Sequence, residues 1–228
     1  MAAAIAVAVI GILAVFDASI SRFGQGLPAP VVSAFATLTR LGESDWILIP
    51  SLVLWLLSAL FAAIIPKPVP KRALWQMAGI WAFFFIGVGF PGLVTTLIKR
   101  VVGRARPEHL DAVGSLQFQW NWTDWSYQSF PSGHTTTAFA LCFVVGFLSP
   151  RWFPWMLILA VFIGLSRIVV GAHYPTDLVA GAIIGTLGAY LVRNVFASRG
   201  WVFKTMADGT YVMRPLLAVR RLVERRKT

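Results

Sequence analysis

Trp46 to Ile65 reads WILIPSLVLWLLSALFAAII, twenty consecutive residues without a charge. As a helix this stretch is about 30 Å long, the thickness of a bilayer's hydrocarbon core. Similar apolar runs extend to either side. The reading predicts spanning helices from about Ala2 to Ile20, Trp46 to Ile65, Leu74 to Ile98, Ser132 to just before Pro150, Trp152 to Val170, and Thr176 to Phe196. Of the 228 residues, 57% are apolar and only 13% charged, too little polar surface for a soluble domain of this size. The expected fold class is all-α: a polytopic membrane protein built as a six-helix bundle. It is expected to be a single membrane-embedded domain over residues 1–228, ending in a basic cytoplasmic tail over 197–228. A cleaved signal peptide is the alternative for the first segment. Its start carries no Lys or Arg, and no clear small-x-small cleavage site precedes Asp17. The single cysteine, Cys142, lies within an apolar run, where lipid contact or core packing is expected.

The net charge of +11 is distributed by topology. Six spans put both termini on one side, together with Lys67, Lys71, Arg72, Arg151 and the segment from Arg193 to Lys227. That side carries 13 of the 20 basic residues, with Asp208 and Glu224 as its acids. The other side has 7 basic and 7 acidic residues, which cancel. The positive-inside bias then makes both termini cytoplasmic and the loops after the third and fifth helices extracytoplasmic. No basic stripe lies on a soluble module, so nucleic acid is not an expected partner. The longest internal loop, residues 99–131, carries Phe118, Trp120, Trp122, Trp125 and Tyr127. They suit an interfacial belt and a lip that guides a lipid.

Three polar clusters fall on the charge-balanced side. The first is Lys99-Arg100-Val101-Val102-Gly103-Arg104-Ala105-Arg106-Pro107. Lys99 and Arg106 are seven apart, so a continuing helix would put them on one face, with Arg100 and Arg104 pointing elsewhere. The second is Phe130-Pro131-Ser132-Gly133-His134, directly before an apolar run. Ser132 suits an N-cap, Gly133 permits close approach to the backbone, and a helix N-terminus attracts anions. The third runs from Ser166-Arg167 through His173 to Asp177. Arg167 and Asp177 are charges in apolar segments, where each needs a partner. Asp177 lies four residues after His173, within reach of the imidazole if the segment is helical. Pro175 fits a first helical turn.

Together these residues suit a tetrahedral dianion. Phosphoryl transfer needs chiefly positioning and charge neutralisation, and Arg offers a planar fork for phosphate oxygens. A neutral imidazole can attack phosphorus while a carboxylate fixes its tautomer. A second imidazole can protonate the leaving alkoxide and then activate water. No cluster has metal-ligand spacing, so no metal and no cofactor is expected.

At this point the chain resembles the type-2 phosphatidic acid phosphatase superfamily of lipid phosphate phosphatases. The pattern K-x6-RP, PSGH, SR-x5-H-x3-D appears here as Lys99 to Arg106-Pro107, Pro131-Ser132-Gly133-His134, and Ser166-Arg167 to His173 to Asp177. The resemblance implies that His173 is the nucleophile that forms a phosphohistidine, Asp177 its orienting residue, and His134 the general acid and then base. It implies that Lys99, Arg106, Ser132, Gly133 and Arg167 hold phosphate oxygens, at a site facing the extracytoplasmic leaflet. Soluble vanadium haloperoxidases share the constellation, but six apolar spans argue against that branch. His109 is read as a loop residue, and Glu43 and Asp45 as solvated loop charges.

The expected activity is hydrolysis of a phosphate monoester or diphosphate on a bacterial membrane lipid. Candidate substrates are undecaprenyl diphosphate, phosphatidylglycerol phosphate, phosphatidate and a lipid A phosphate. The expected location is the inner membrane. Two alternatives stay open: a phosphotransferase with a lipid acceptor, and a non-catalytic transporter of anionic lipid.

Overall fold

The computed structural model describes residues 2–120 and 122–216. Eight helices follow in order: α1 (Ala2–Gln25), α2 (Ala29–Thr39), α3 (Asp45–Ile64), α4 (Pro68–Val102), the short α5 (Leu110–Val113), α6 (Gly133–Leu148), α7 (Phe153–Val169) and α8 (Pro175–Ser198). A two-stranded antiparallel hairpin closes the described chain, β1 (Phe203–Thr205) against β2 (Tyr211–Met213). α4, α6 and α8 pack on one another, with α3 beside α4 and α7 beside α6.

Among the described residues, five stretches are long and apolar enough to cross a bilayer, within α1, the α2–α3 segment, α4, α7 and α8. The remaining expected span, the fourth in chain order, is α6, which is apolar but has 16 residues. That makes about 24 Å, short of a full hydrocarbon core. Much of the outer surface is aliphatic: Leu56, Leu60, Ile64, Leu93, Leu187 and Leu191 are all exposed. A continuous face of this kind is stable in lipid rather than water. Between the helices, Phe83 sets its ring edge-on to Phe196 and Phe203 at 5.3 and 4.8 Å. Val88, Ala140, Val144 and Ala189 fill the rest of the core. Cys142 is a free, fully buried thiol in the adjoining cluster, packed as a small hydrophobe.

Several expectations are revised. α1 continues five residues past the expected end, to Gln25, and carries Asp17 within it as expected. The segment between the first two apolar runs holds α2, eleven residues long, packed on α7. It is far too short to span, so a hydropathy reading passes over it. The hairpin was also not anticipated, and the distal part of the basic tail, 217–228, lies outside the described residues.

The most consequential revision is where α4 stops. Lys99 and Arg106 do not share the face of one helix. α4 ends at Val102, and Gly103 caps it in the left-handed region at φ 62°, its N–H donating to the Lys99 carbonyl at 3.1 Å. Beyond Gly103 the chain is extended and tied into its own loop. Gln119 N–H donates to the Gly103 carbonyl at 2.7 Å, Ala105 N–H to Gln117 at 3.0 Å, and Arg106 N–H to Ser126 at 2.8 Å. A Cβ at position 103 would collide with the Gln119 carbonyl. Gly103→Ala should therefore cost more than the about 1–2 kcal/mol of left-handed strain. A clear drop in the thermal midpoint in detergent is the expected readout, and an unchanged midpoint would refute this account of the break.

Candidate active site

The end of α4, the start of α6, the end of α7 and the start of α8 meet at one end of the bundle, and they carry the three motifs. Close helix packing sets their spacing. A Cβ at Gly181 of α8 would sit 2.6 Å from the Ser132 carbonyl, so only glycine lets α6 approach this far. Ser132 N–H then donates to the Asp177 carbonyl at 3.0 Å, joining the second motif to the third.

Ser132 is the N-cap of α6 as expected, its hydroxyl accepting from Thr135 N–H at 3.4 Å and from the Thr135 hydroxyl at 3.0 Å. The N–H groups of Gly133 and His134, at the tip of α6, have no carbonyl to bond within their own helix. Lys99 Nζ lies 3.6 Å from where a Cβ on Gly133 would stand, so an ammonium, open backbone and absent side chain face one space. Arg167, His173, Lys99 and Arg106 all lie within electrostatic reach of the His134 ring. The motif residues named from sequence are therefore brought together at one end of the fold.

Two of the cations are arranged unusually. Arg167 Nη1 donates to Thr39 Oγ1 at 2.7 Å, and the guanidinium of Arg106 lies 4.8 Å from the Trp125 ring centroid. The Nε–H groups of both arginines are buried and have no partner among the described residues. Buried donors are almost always satisfied, so a pair left open beside two histidines suits an anionic ligand.

His173 is 2% exposed. Its Nδ1 lies 3.4 Å from Asp177 Oδ2. His173 precedes α8 rather than lying within it, so the carboxylate reaches back across the helix start. The same Oδ2 accepts from Tyr174 N–H at 2.8 Å and from the Ser129 hydroxyl at 2.6 Å. Asp177 thus holds the Nδ1 side of the ring and leaves the Nε2 lone pair free. Burial pushes the His173 pKa down to about 4, against the pull of Asp177, so the ring is neutral at pH 7.

Other contributors lack a motif. Gly42, in the turn after α2, packs against His134: a Cβ there would come within 3.0 Å of the ring. Thr39, from α2, holds Arg167. Arg104, read as pointing elsewhere, points inward. It pairs with Asp177 Oδ1 at 2.6 Å and with Asp17 of α1 at 2.7 Å. Burial alone would lower its pKa, but the two carboxylates more than offset this and hold it above the ordinary value. Arg100 is exposed.

A cavity of about 420 Å³ opens beside His134, lined by Glu43, Asp45, Gly92, Thr96 and Gly133 among others. Glu43 and Asp45 are exposed, as expected of loop charges, yet both face this space. A larger cavity, about 590 Å³, lies at the opposite end of the helices between Trp55, Trp75 and Trp201. It holds none of the motif residues, so size does not locate the chemistry. His109 bonds Ser126 at 2.9 Å and stacks on Tyr127, a loop contact as expected. Trp120, Trp122 and Trp125 are all exposed on the same loop. Among the described residues, no three His, Cys, Asp or Glu side chains gather as a metal site requires.

A family model, that of the PAP2 superfamily, matches residues 79–201. The chain belongs to the PAP2 superfamily. A lipid A 1-phosphatase from Rhizobium johnstonii is 35% identical to this PAP2 protein over 89% of its chain and 82% of the relative's. A decaprenylphosphoryl-5-phosphoribose phosphatase from Mycobacterium tuberculosis is 32% identical over 64% and 73% of the two chains. In fold, the PAP2 chain is similar to the crystal structure of a transmembrane PAP2 type phosphatidylglycerolphosphate phosphatase from Bacillus subtilis. The TM-score is 0.56 at 20% identity, covering 83% of this chain and 93% of the other. The match to Aquifex aeolicus LpxE has a TM-score of 0.52 at 21% identity, covering 78% and 94%. The PAP2 model begins within α4, so α1, with Asp17, lies outside the matched residues.

Proposed function

We propose that this PAP2 protein hydrolyses the 1-phosphate of a lipid A-type glycolipid through a phosphohistidine at residue 173. It is a multi-pass membrane protein and a lipid phosphatase. The choice of lipid is supported by the two Rhizobium lipid A 1-phosphatases, whose similarity runs through more than four fifths of both chains. The observation that carries the chemistry is the pair of buried Nε–H groups on Arg106 and Arg167, without a partner among the described residues and set beside His134 and His173.

In the first step the Nε2 lone pair of His173 attacks phosphorus and the bond to the lipid oxygen breaks. That oxygen takes the bonding electrons and a proton from His134, which the negative charge of the bound phosphate holds in its protonated form. Asp177, held at Nδ1, stabilises the positive ring of the phosphohistidine. In the second step His134 removes a proton from water as it attacks phosphorus. The P–N bond breaks, inorganic phosphate leaves, and His173 is neutral again. Lys99, Arg106, Arg167 and the N–H groups at the tip of α6 neutralise the equatorial oxygens, with Gly133 leaving room for them. Ser132 holds that tip in place, and its hydroxyl proton is available to an oxygen. No divalent ion is required in this scheme.

The distribution of the +11 charge supports a site on the extracytoplasmic side of a bacterial inner membrane, with both termini cytoplasmic. Phosphate release in detergent tests the assignment, using lipid A with a 1-phosphate, lipid A with only a 4′-phosphate, phosphatidylglycerol phosphate, phosphatidate and undecaprenyl diphosphate. With EDTA present and no acceptor lipid added, the 1-phosphate should be released about tenfold faster or better than the others. Dependence on a divalent ion would contradict the scheme. Turnover only with an acceptor lipid would mark a phosphotransferase.

A further inference from the structure

Arg104 uses its whole guanidinium on protein. Nε and Nη2 donate to the Ser115 carbonyl at 3.0 and 2.7 Å. Nη2 also donates to Asp17 Oδ2 at 2.7 Å, and Nη1 to Asp177 Oδ1 and Thr176 Oγ1, both at 2.6 Å. Five donors make five bonds, and the Tyr174 ring covers one face at 4.3 Å from its centroid. Arg104 therefore has nothing left for a substrate, unlike Arg106 and Arg167.

Asp17 closes the network from α1. Its Oδ1 accepts from Thr176 N–H at 3.1 Å, and its Oδ2 from the Thr176 hydroxyl at 2.6 Å as well as from Arg104. Asp17 and Asp177 are fully buried, and Arg104 is nearly so. Two carboxylates around one guanidinium leave a net charge of −1 beside a neutral His173. Phosphorylation of Nε2 makes that ring positive, and the buried group then balances.

We propose that Asp17 and Arg104 are positioning residues for the nucleophile: Arg104 fixes Asp177 by one oxygen, and Asp17 cancels the Arg104 charge so that the other oxygen keeps its full negative charge for His173. The inference rests on His173 as the nucleophile. Without Arg104, two like charges share a site with no counterion. Without Asp17, Arg104 acts on Asp177 alone and weakens its support of the phosphohistidine.

The test compares Asp17→Asn, Arg104→Gln, the double variant and His173→Ala by steady-state kinetics on one lipid phosphate, with monodispersity and the thermal midpoint as folding controls. Asp17→Asn should lower kcat by about 10- to 100-fold, with KM within about threefold of the parent. Arg104→Gln should lose about 100-fold or more, or fail to fold. The double variant restores the −1 balance. It should fold and turn over at least about tenfold faster than Arg104→Gln, or within about 100-fold of the parent where that single variant cannot be isolated. A double variant no better than the product of its singles overturns the proposal, as does Asp17→Asn with an unchanged kcat. If His173→Ala keeps its activity, the site assignment fails and the proposal with it. If His173→Ala is dead and the double variant shows no recovery, only the proposal fails.

Discussion

His173→Ala is expected to lower kcat by on the order of 10⁴-fold or more while leaving the protein folded. The reason is specific to the ring's setting. Asp177 Oδ2 occupies the Nδ1 side at 3.4 Å, so only Nε2 is free to attack. Removing the ring removes the nucleophile, and neither cations nor helix tip can form the covalent intermediate in its place. Some acceleration over water should persist if Lys99, Arg106 and Arg167 bind and polarise the phosphate as proposed. Substrate affinity should change little, since the same groups hold the ground state. His173→Gln, closer in shape, should be equally inactive, which separates chemistry from packing.

Arg106→Lys should lower kcat/KM by about 10²- to 10³-fold. Charge is retained, so a purely electrostatic role predicts a mild effect. The geometry predicts otherwise. Arg106 has a buried Nε–H with no partner among the described residues, held by stacking on Trp125. Lysine lacks the planar fork and cannot stack in the same way. Arg100→Ala is the internal control. Arg100 is on the same motif stretch but exposed, and its loss should leave kcat/KM within about twofold. Equal sensitivity of positions 100 and 106 would argue that bulk positive charge, and not an aimed donor, is what the site uses.

These residues differ in how far they could be read from sequence. Lys99, Arg106, Ser132, Gly133, His134, Arg167, His173 and Asp177 sit at fixed short spacings, each near the end of an apolar run. Helix ends on one side of a membrane are brought to one level, so their convergence was legible. Gly103 was legible in principle: a glycine directly after an apolar helix marks a left-handed cap. Taking the helix through it gave the wrong direction for Arg104. The hairpin had its own signal in Asp208-Gly209, a turn pair between short alternating segments.

Asp17, Thr39 and Gly42 are another matter. Asp17 meets Arg104 across 87 residues and Thr39 meets Arg167 across 128. Nothing local in the chain marks such partners, because they are chosen by helix packing and not by spacing. An acid within an apolar helix is the one clue. Asp17 is expensive in lipid, and that cost alone demanded a buried partner. α2 carries no clear signal because its eleven residues, most of them apolar, are too few to span and too apolar to read as a loop.

The central claim is a covalent bond between phosphorus and residue 173, and rapid-quench trapping tests it directly. Enzyme is mixed with ³²P-labelled lipid phosphate, quenched within the first turnover, digested and mapped. The expected result is an acid-labile, base-stable phosphoryl group on the peptide containing His173, formed before phosphate is released and absent in His173→Ala. Label on another residue, or phosphate release with no label on the protein at any time, would contradict it.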